Sequence, residues 1–348
     1  MPESVRTRKR QMNGRLDRLG GAFRAGEWWD HKLVLALAVF YGTALSLRIP
    51  LAPLAPAALA LLIAVAAAAA FVSVINDLAD RADDAAAGKA NRMSGRSRGE
   101  AALLVGAPLA IGLGFLFAWR ADLPLVLAYA GSWLAFSLYS LPPFRLKTRG
   151  LAGVAADAAG AHLFPGLVAV LLASAAAGSK PDLWWTAAVG LWSFAYGVRG
   201  ILWHQLRDRD NDRRAGVSTF AGRFSPERTA GLGAFVIFPP EIAGLAAMLL
   251  RLDATLPVVA LLAYALLLVL RTRLLGTRAV IVGSGGNWAM VLQEYYELFL
   301  PVSILCASAL AYPLDWLVLL AHLALFPRRA RTALAQVAAL ARLTPRSI

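Results

Sequence analysis

The apolar residues of this chain come in long blocks that are separated by short charged segments. Several blocks reach the roughly 20 residues that an α-helix needs to cross a bilayer. They lack the alternation that is typical of the strands of a membrane β-barrel. The pattern therefore predicts an all-α, polytopic bundle of transmembrane helices. The expected spans are 33–49, 55–75, 101–119, 123–141, 151–175, 183–203, 228–250 and 255–270, followed by an apolar region at 288–326.

The last apolar region is interrupted at Tyr312-Pro313-Leu314-Asp315. One long helix would leave the basic C-terminal tail on the side of the membrane opposite the N-terminus. A span at 292–311 with a shorter return at 314–327 would bring that tail back to the side of the N-terminus. We favour the return, which gives ten spans instead of nine. The tail at 328–348 mixes Arg with Ala, Leu and Val, which is typical of an amphipathic helix on a membrane surface.

Charge decides the orientation. The chain has 348 residues, of which 59% are apolar, and its 35 basic and 21 acidic residues give a net charge of +14. The basic residues lie at the edges of the apolar blocks, so we expect contact with membrane lipids and no binding of nucleic acid. Seven basic residues lie in the segment 1–27, and by the positive-inside rule this segment is on the cytoplasmic side of what we expect to be a bacterial inner membrane. These residues are Arg6, Arg8, Lys9, Arg10, Arg15, Arg18 and Arg24.

Cysteine and histidine contribute little to the expected chemistry. Cys306 is the single cysteine, so the sequence predicts neither a disulfide nor a thiolate cluster. The four histidines are far apart in the sequence and lack the spacing of zinc ligands.

One third of the carboxylates are concentrated in two short segments of the sequence. Seven of the 21 acids fall in two windows, 76–84 and 208–212, at the expected cytoplasmic ends of the second and sixth spans. On a helix, Asn76, Asp80 and Asp84 share one face, and so do Asp208 and Asp212. Two acidic faces at one membrane depth repel each other unless a cation lies between them.

Hard oxygen ligands select Mg²⁺, with Mn²⁺ as an alternative, and Mg²⁺ is commonly completed by substrate phosphate oxygens. A diphosphate that bridges the two windows through metal fits this arrangement, whereas a pair of solvated loops is the simpler alternative. The candidate metal ligands are Asn76, Asp77, Asp80, Asp84, Asp208 and Asp212. Basic and phenolic side chains at the same edge are candidates to bind the diphosphate. They are Lys89, Arg92, Tyr139, Arg145, Lys147 and Tyr196, each of which has a membrane-anchoring or interfacial role as the alternative.

Three segments resemble one known family. The pattern Asn-Asp-x-x-Asp-x-x-x-Asp at 76–84 resembles the first aspartate motif of the UbiA superfamily of intramembrane prenyltransferases. The segment 208–219 resembles the second motif, and 139–150 is similar to the Tyr-x-x-Pro-Pro-x-Arg-x-Lys-x-x-Gly segment that lies between them. The resemblance covers roughly 28–300 and suggests a catalytic transmembrane domain at 28–327.

The resemblance implies nine or so helices around a central cavity. The two motifs would hold two Mg²⁺ ions on a prenyl diphosphate, with Asp80, Asp84, Asp208 and Asp212 as the catalytic carboxylates. An allylic cation would then form and be attacked by a lipophilic acceptor, with aromatic acceptors included. Aromatic side chains could shield this cation, although plain helix packing is the alternative for them. They are Trp192, Phe194, Trp203, Tyr295 and Tyr296.

Two features depart from the family pattern. Members with aromatic acceptors often carry Arg early in the first helix, where this chain has only Lys32. Glu294 and Glu297 lie at the mouth of the last apolar region, where a carboxylate is expensive and suggests a function. We expect these three residues on the acceptor side, with a solvated pair as the alternative for the glutamates.

Other reactions remain open on the sequence alone. The same motifs serve terpene cyclases of the superfamily, in which a double bond of the substrate itself quenches the cation. A third variant transfers phosphoribose to a polyprenyl phosphate. A cation transporter, from a different functional class, would need carboxylates near mid-membrane, and Asp157 is the only such candidate.

Overall fold

The computed structural model of the protein describes residues 21–214, 216–283 and 287–343. Most of the N-terminal segment expected at 1–27, and the last five residues of the expected tail, lie outside the described residues. The chain is 80% helical, with one short pair of strands in its described part. The expected all-α architecture is therefore confirmed.

The described residues contain twelve helices. They are α1 (25–46), α2 (Ala52–Ala79), α3 (Arg81–Ala86), α4 (Arg98–Ala118), α5 (Leu123–Ser140), α6 (Leu151–Ala176), α7 (Leu183–Arg214), α8 (Pro226–Leu252), α9 (Thr255–Leu274), α10 (Tyr295–Ala311), α11 (Asp315–Leu325) and α12 (Pro327–Leu343). Single π-helical turns occur at Trp29–Leu33, Ala159–Leu163, Gly233–Ile237 and Tyr295–Phe299, and 3₁₀ turns at Ala52–Leu54, Leu146–Thr148 and Ala221–Arg223. Strands β1 (Arg278–Val280) and β2 (Trp288–Met290) pair in parallel, with Arg278 opposite Trp288.

Each expected span coincides with a helix. The largest difference is at α7, which continues eleven residues beyond the expected end at 203. By length and composition, six described helices are able to cross a membrane, and α10 and α11 are shorter apolar helices. The six are α2, α4, α5, α6, α8 and α9. The number of ten spans remains a prediction.

The position of each helix follows from its apolar surface. In α1, all residues from Val34 to Ala44 are buried, and the helix packs against α6 and α10. A helix that is apolar all round is suited to the middle of a bundle. On α4, in contrast, Leu103 and Phe117 are both 68% exposed, as expected for a face that contacts lipid acyl chains.

The two ends of the described chain meet at one end of the bundle. Trp29 donates from Nε1 to the carbonyl oxygen of Leu325 at 3.0 Å, and Arg328 lies 3.3 Å from Asp30. The C-terminus of α11 therefore returns to the start of α1, as the two-helix interpretation of the last apolar region expects.

The opposite end is organised by one buried carboxylate. Asp315 accepts hydrogen bonds from the main-chain N–H groups of Leu51 and Ala52, at 2.9 and 2.7 Å, and from the Ser308 hydroxyl at 2.5 Å. Asp315 therefore joins the loop before α2 to the turn between α10 and α11.

We expect Asp315→Asn to lower the stability of the protein by roughly 2–3 kcal/mol, because one main-chain N–H then faces an amide donor instead of an acceptor. Thermal unfolding in detergent measures this loss. Asp253, which is highly exposed, provides the same chemical change as Asp253→Asn and should leave the melting temperature unchanged. Equal melting curves for the two variants would contradict this role of Asp315.

Candidate active site

The acidic windows face a common cavity of about 180 Å³. Its wall comes from the end of α2, from α3, from the loop after α5 and from the C-terminal third of α7. The charged residues in the wall are Arg24, Asp80, Asp83, Asp84, Lys89, Arg145, Lys147, Asp208 and Asp212. The neutral polar residues are Asn76, Tyr139, His204, Gln205, Asn211 and Thr219. The cavity therefore unites two windows that are more than 120 residues apart in the sequence.

On the α2 side, the backbone breaks at Asp80, which separates α2 from α3. The Asp80 carboxylate is paired with Lys147 and, at 2.9 Å, with Arg145, which also pairs with Asp83. Asp84 accepts from the Asn91 amide at 2.7 Å. The loop that follows α5 therefore balances the negative charge of Asp80 and Asp83.

That loop is held tightly against α6. Arg145 adopts a left-handed conformation with φ of 38°, and Lys147 is only 8% exposed. A Cβ atom at Gly153 would lie 2.4 Å from the Leu146 carbonyl oxygen, so only glycine allows α6 to approach so closely. Burial lowers the pKa of Lys147, although the neighbouring Asp80 opposes this effect.

The α7 side has a different charge balance. Because α7 stays helical to Arg214, Asp208 and Asp212 lie one turn apart on one face. Among the described residues, neither carboxylate has an ion-pair partner. Burial and the charge of Asp208 raise the pKa of Asp212 to about 6. This side therefore has unbalanced negative charge that a cation would stabilise.

The oxygen donors suit a hard cation, but they are not gathered at one point. In the part of the chain that the structure describes, no three His, Cys, Asp or Glu side chains form a preformed metal site. The carboxylates lie instead on two walls, which suits metal ions that are bound together with an anionic substrate.

Three of the predicted metal- and diphosphate-binding residues lie outside the cavity wall. Asp77 is 1% exposed and pairs with Arg24, and Arg92 binds Glu27 at 2.6 Å. Tyr196 is buried and stacks on Trp192, with a centroid distance of 6.1 Å. Asp77 points away from the cavity because it directly follows Asn76, and consecutive residues of a helix point to different faces.

The expected acceptor residues are also separated. Glu294 pairs with Arg271, whereas Glu297 is fully buried and contacts His31 at 2.6 Å and Arg329. Lys32 lines a second, mostly apolar cavity of about 40 Å³, with its ammonium group 5.3 Å from the centre of the Phe136 ring.

Sequence reasoning missed several residues of the wall. Asp83 and Gln205 stand within or beside the acidic windows, so their spacing was a usable signal. Arg24 had no such signal, because it precedes the first span; in the structure it lines the cavity and pairs with Asp77. The aromatic side chains of Trp192, Tyr295 and Tyr296 are fully buried and contact each other, which agrees with the packing alternative.

A family comparison decides the relationship. The model of the UbiA prenyltransferase family matches residues 35–280, which is more than two thirds of the chain. The chain belongs to the UbiA prenyltransferase family. No curated protein matches the sequence.

Solved structures share the fold of this UbiA family member. A UbiA homolog from Archaeoglobus fulgidus is 19% identical, with a TM-score of 0.53 over 87% of this chain and 99% of the homolog. The same homolog bound to GPP and Mg²⁺ gives 18% identity and a TM-score of 0.54, over 87% and 99% of the two chains. The form bound to DMAPP and Mg²⁺ gives 18% and 0.54, over 84% and 98%.

The raised pKa of Asp212 predicts how metal binding depends on pH. Below about pH 6, Asp212 is protonated and loses the charge that attracts a cation. We therefore expect Mn²⁺ affinity, measured by electron paramagnetic resonance, to fall as the pH decreases through this value. In Asp208→Asn the fall should move to lower pH, because the repelling charge is absent. Affinity that is constant from neutral pH to pH 5 would contradict this prediction.

Proposed function

We propose that this protein is a Mg²⁺-dependent intramembrane prenyltransferase that transfers the prenyl group of a prenyl diphosphate to a lipophilic acceptor. The observation that carries the proposal is the cavity in which two carboxylate walls, one with basic partners and one without, face each other at one end of the bundle. Family membership and the ligands named for the archaeal homolog support the same chemistry.

The donor set supports Mg²⁺, with Mn²⁺ as a substitute, because every candidate ligand is a carboxylate or amide oxygen. In this proposal Asn76, Asp80, Asp84, Asp208 and Asp212 hold the metal. The bound metal would neutralise negative charge that develops on the departing diphosphate. Asp77, Arg92 and Tyr196 have no direct part in it, since they lie outside the wall of the cavity.

The basic residues on the α2 side would exchange partners when substrate binds. Lys147 and Arg145 are paired with Asp80 in the structure. If Asp80 turns to a metal ion, both cations become available to diphosphate oxygens, and Lys89 lies at the rim of the same cavity. Tyr139, also in the wall, can donate a hydrogen bond to the oxygen that leaves the prenyl carbon.

The second cavity is suited to bind apolar parts of the substrates, because its lining is mostly apolar. On α2 its last residue is Ser73, three positions before Asn76, and on α5 it includes Phe136, three positions before Tyr139. It therefore lies about one helical turn deeper than the acidic cavity. Lys32, which lines this cavity, would contact an acceptor there. Glu294 and Glu297 would support this end indirectly, through Arg271 and His31.

Product analysis tests the reaction. Purified full-length protein is incubated with Mg²⁺ and geranylgeranyl diphosphate, with and without candidate phenolic or quinol acceptors. We expect prenylated acceptor from the wild type and a loss on the order of a hundredfold or more in Asp80→Asn, because that variant weakens the metal site. Asp253→Asn, which changes an exposed acid far from the cavity, is the matched control.

The possible outcomes separate the alternatives. A cyclic hydrocarbon formed without acceptor would replace the transferase with a terpene cyclase. Turnover only with phosphoribosyl diphosphate and a polyprenyl phosphate would indicate the third reaction of the superfamily. Metal transport without any release of diphosphate would exclude an enzyme of this kind.

The proposal also places the cavity and both termini at the cytoplasmic side of a bacterial inner membrane, because the connections at this end are rich in Arg and Lys. We expect a fluorescent protein fused after residue 348 to be fluorescent, and an alkaline phosphatase fusion at the same position to be inactive. The opposite result would exclude ten spans with this orientation.

A further inference from the structure

One buried side chain in the wall of the acidic cavity has a hydrogen-bond donor without an acceptor. Gln205 is 5% exposed, and its Nε2 has no partner within residues 21–214, 216–283 and 287–343. The Oε1 atom of the same amide accepts a hydrogen bond from the main-chain N–H of Ala221 at 2.9 Å. Since only the oxygen can accept this bond, it fixes which end of the amide carries the unused donor.

Gln205 lies on the face of α7 that carries the two carboxylates of the acidic cavity. It precedes Asp208 by three residues and Asp212 by seven, so the three side chains share one face of the helix. All three line the same cavity. The amide thus lies about one turn deeper in the bundle than the first carboxylate of this wall.

Other unused donors belong to the same cavity. Arg24 Nε and Arg145 Nε are buried and have no hydrogen-bond partner among the described residues. Buried polar atoms without partners are uncommon in native proteins and each needs an explanation. Several unused donors around one cavity indicate a ligand with several acceptor oxygens.

We propose that Gln205 is a substrate-binding residue whose Nε2 donates a hydrogen bond to the diphosphate of the prenyl donor. This inference rests on the proposed function. A neutral amide suits the position, because a basic side chain beside Asp208 would form an ion pair with that carboxylate. Lys147 and Arg145 form such ion pairs with Asp80. Gln205 therefore supplies a donor on the wall that lacks basic partners.

Two substitutions separate the donor from the structural bond to Ala221. Gln205→Glu keeps an acceptor for the Ala221 N–H and replaces the NH₂ group with a carboxylate oxygen. The measurements are made at pH 8.5, where this carboxylate is charged. Gln205→Met keeps the length of the side chain and removes both groups. Gln336→Glu repeats the first change on α12, away from both cavities, as the matched control.

The probe is inorganic diphosphate with Mg²⁺, titrated calorimetrically into purified full-length protein. We expect both Gln205 variants to bind it about ten- to a hundredfold more weakly than the wild type, since each loses a hydrogen bond to a charged group. The KM for geranylgeranyl diphosphate should rise in parallel, the KM for the acceptor should not change, and Gln336→Glu should resemble the wild type.

Three results would overturn the assignment. Unchanged affinity in both variants would leave no role for the donor. A loss in Gln205→Met alone would show that only the bond to Ala221 matters, and a loss in Gln205→Glu alone would show charge repulsion. Thermal unfolding of each variant identifies a folding defect, and if Gln205→Met does not fold, Gln205→Leu replaces it as a second neutral side chain without a donor.

The behaviour of the wild type distinguishes this inference from the proposed function. Wild type that binds neither inorganic diphosphate nor geranylgeranyl diphosphate in the presence of Mg²⁺ would refute the proposed function, and the role of Gln205 with it. Wild type that binds both, with Gln205 variants of equal affinity, would refute the role of Gln205 alone.

Discussion

The repulsion among carboxylates at one edge of the bundle is the constraint on which the site depends. Like charges near a membrane are costly unless they are paired, hydrogen-bonded or neutralised by metal. On the α2 wall, Lys147 and Arg145 form ion pairs with Asp80, whereas the carboxylates of the α7 wall have no ion-pair partner among the described residues. This asymmetry depends on three features of the fold: the shape of the loop after α5, the break at Asp80 and the length of α7.

The sequence predicted the bundle well, because apolar blocks of membrane-spanning length leave few alternatives to a helix. The joining of the two acidic windows was also predictable, since both fall at the same expected edge. The extension of α7 to Arg214 was not, because its last turns contain few apolar residues. They remain helical as a continuation of a long helix that packs against α6 and α8.

Long-range pairings are the part of the site that the sequence could not reveal. Asp77 belongs to the motif by position, but its partner Arg24 is 53 residues away and lies outside any pattern. Glu297 was expected beside an acceptor, yet it meets Arg329 from the last helix. The Arg199–Glu241 pair is similar: both side chains are fully buried, with two contacts of 2.6 Å, and Tyr296 donates to the same carboxylate. Charge and spacing along the chain carry no information on such partners.

The contacts between the first and last helices also have a consequence for how the protein is made. Asp30 and Glu297 are almost fully buried, and their arginine partners are Arg328 and Arg329. A ribosome that has inserted α1 must still synthesise nearly 300 residues before Arg328 exists. Until Arg328 is made, the N-terminal helix therefore carries a carboxylate without its final counter-charge. A chain that stops before residue 328 would retain every aspartate motif and lack both of these counter-charges.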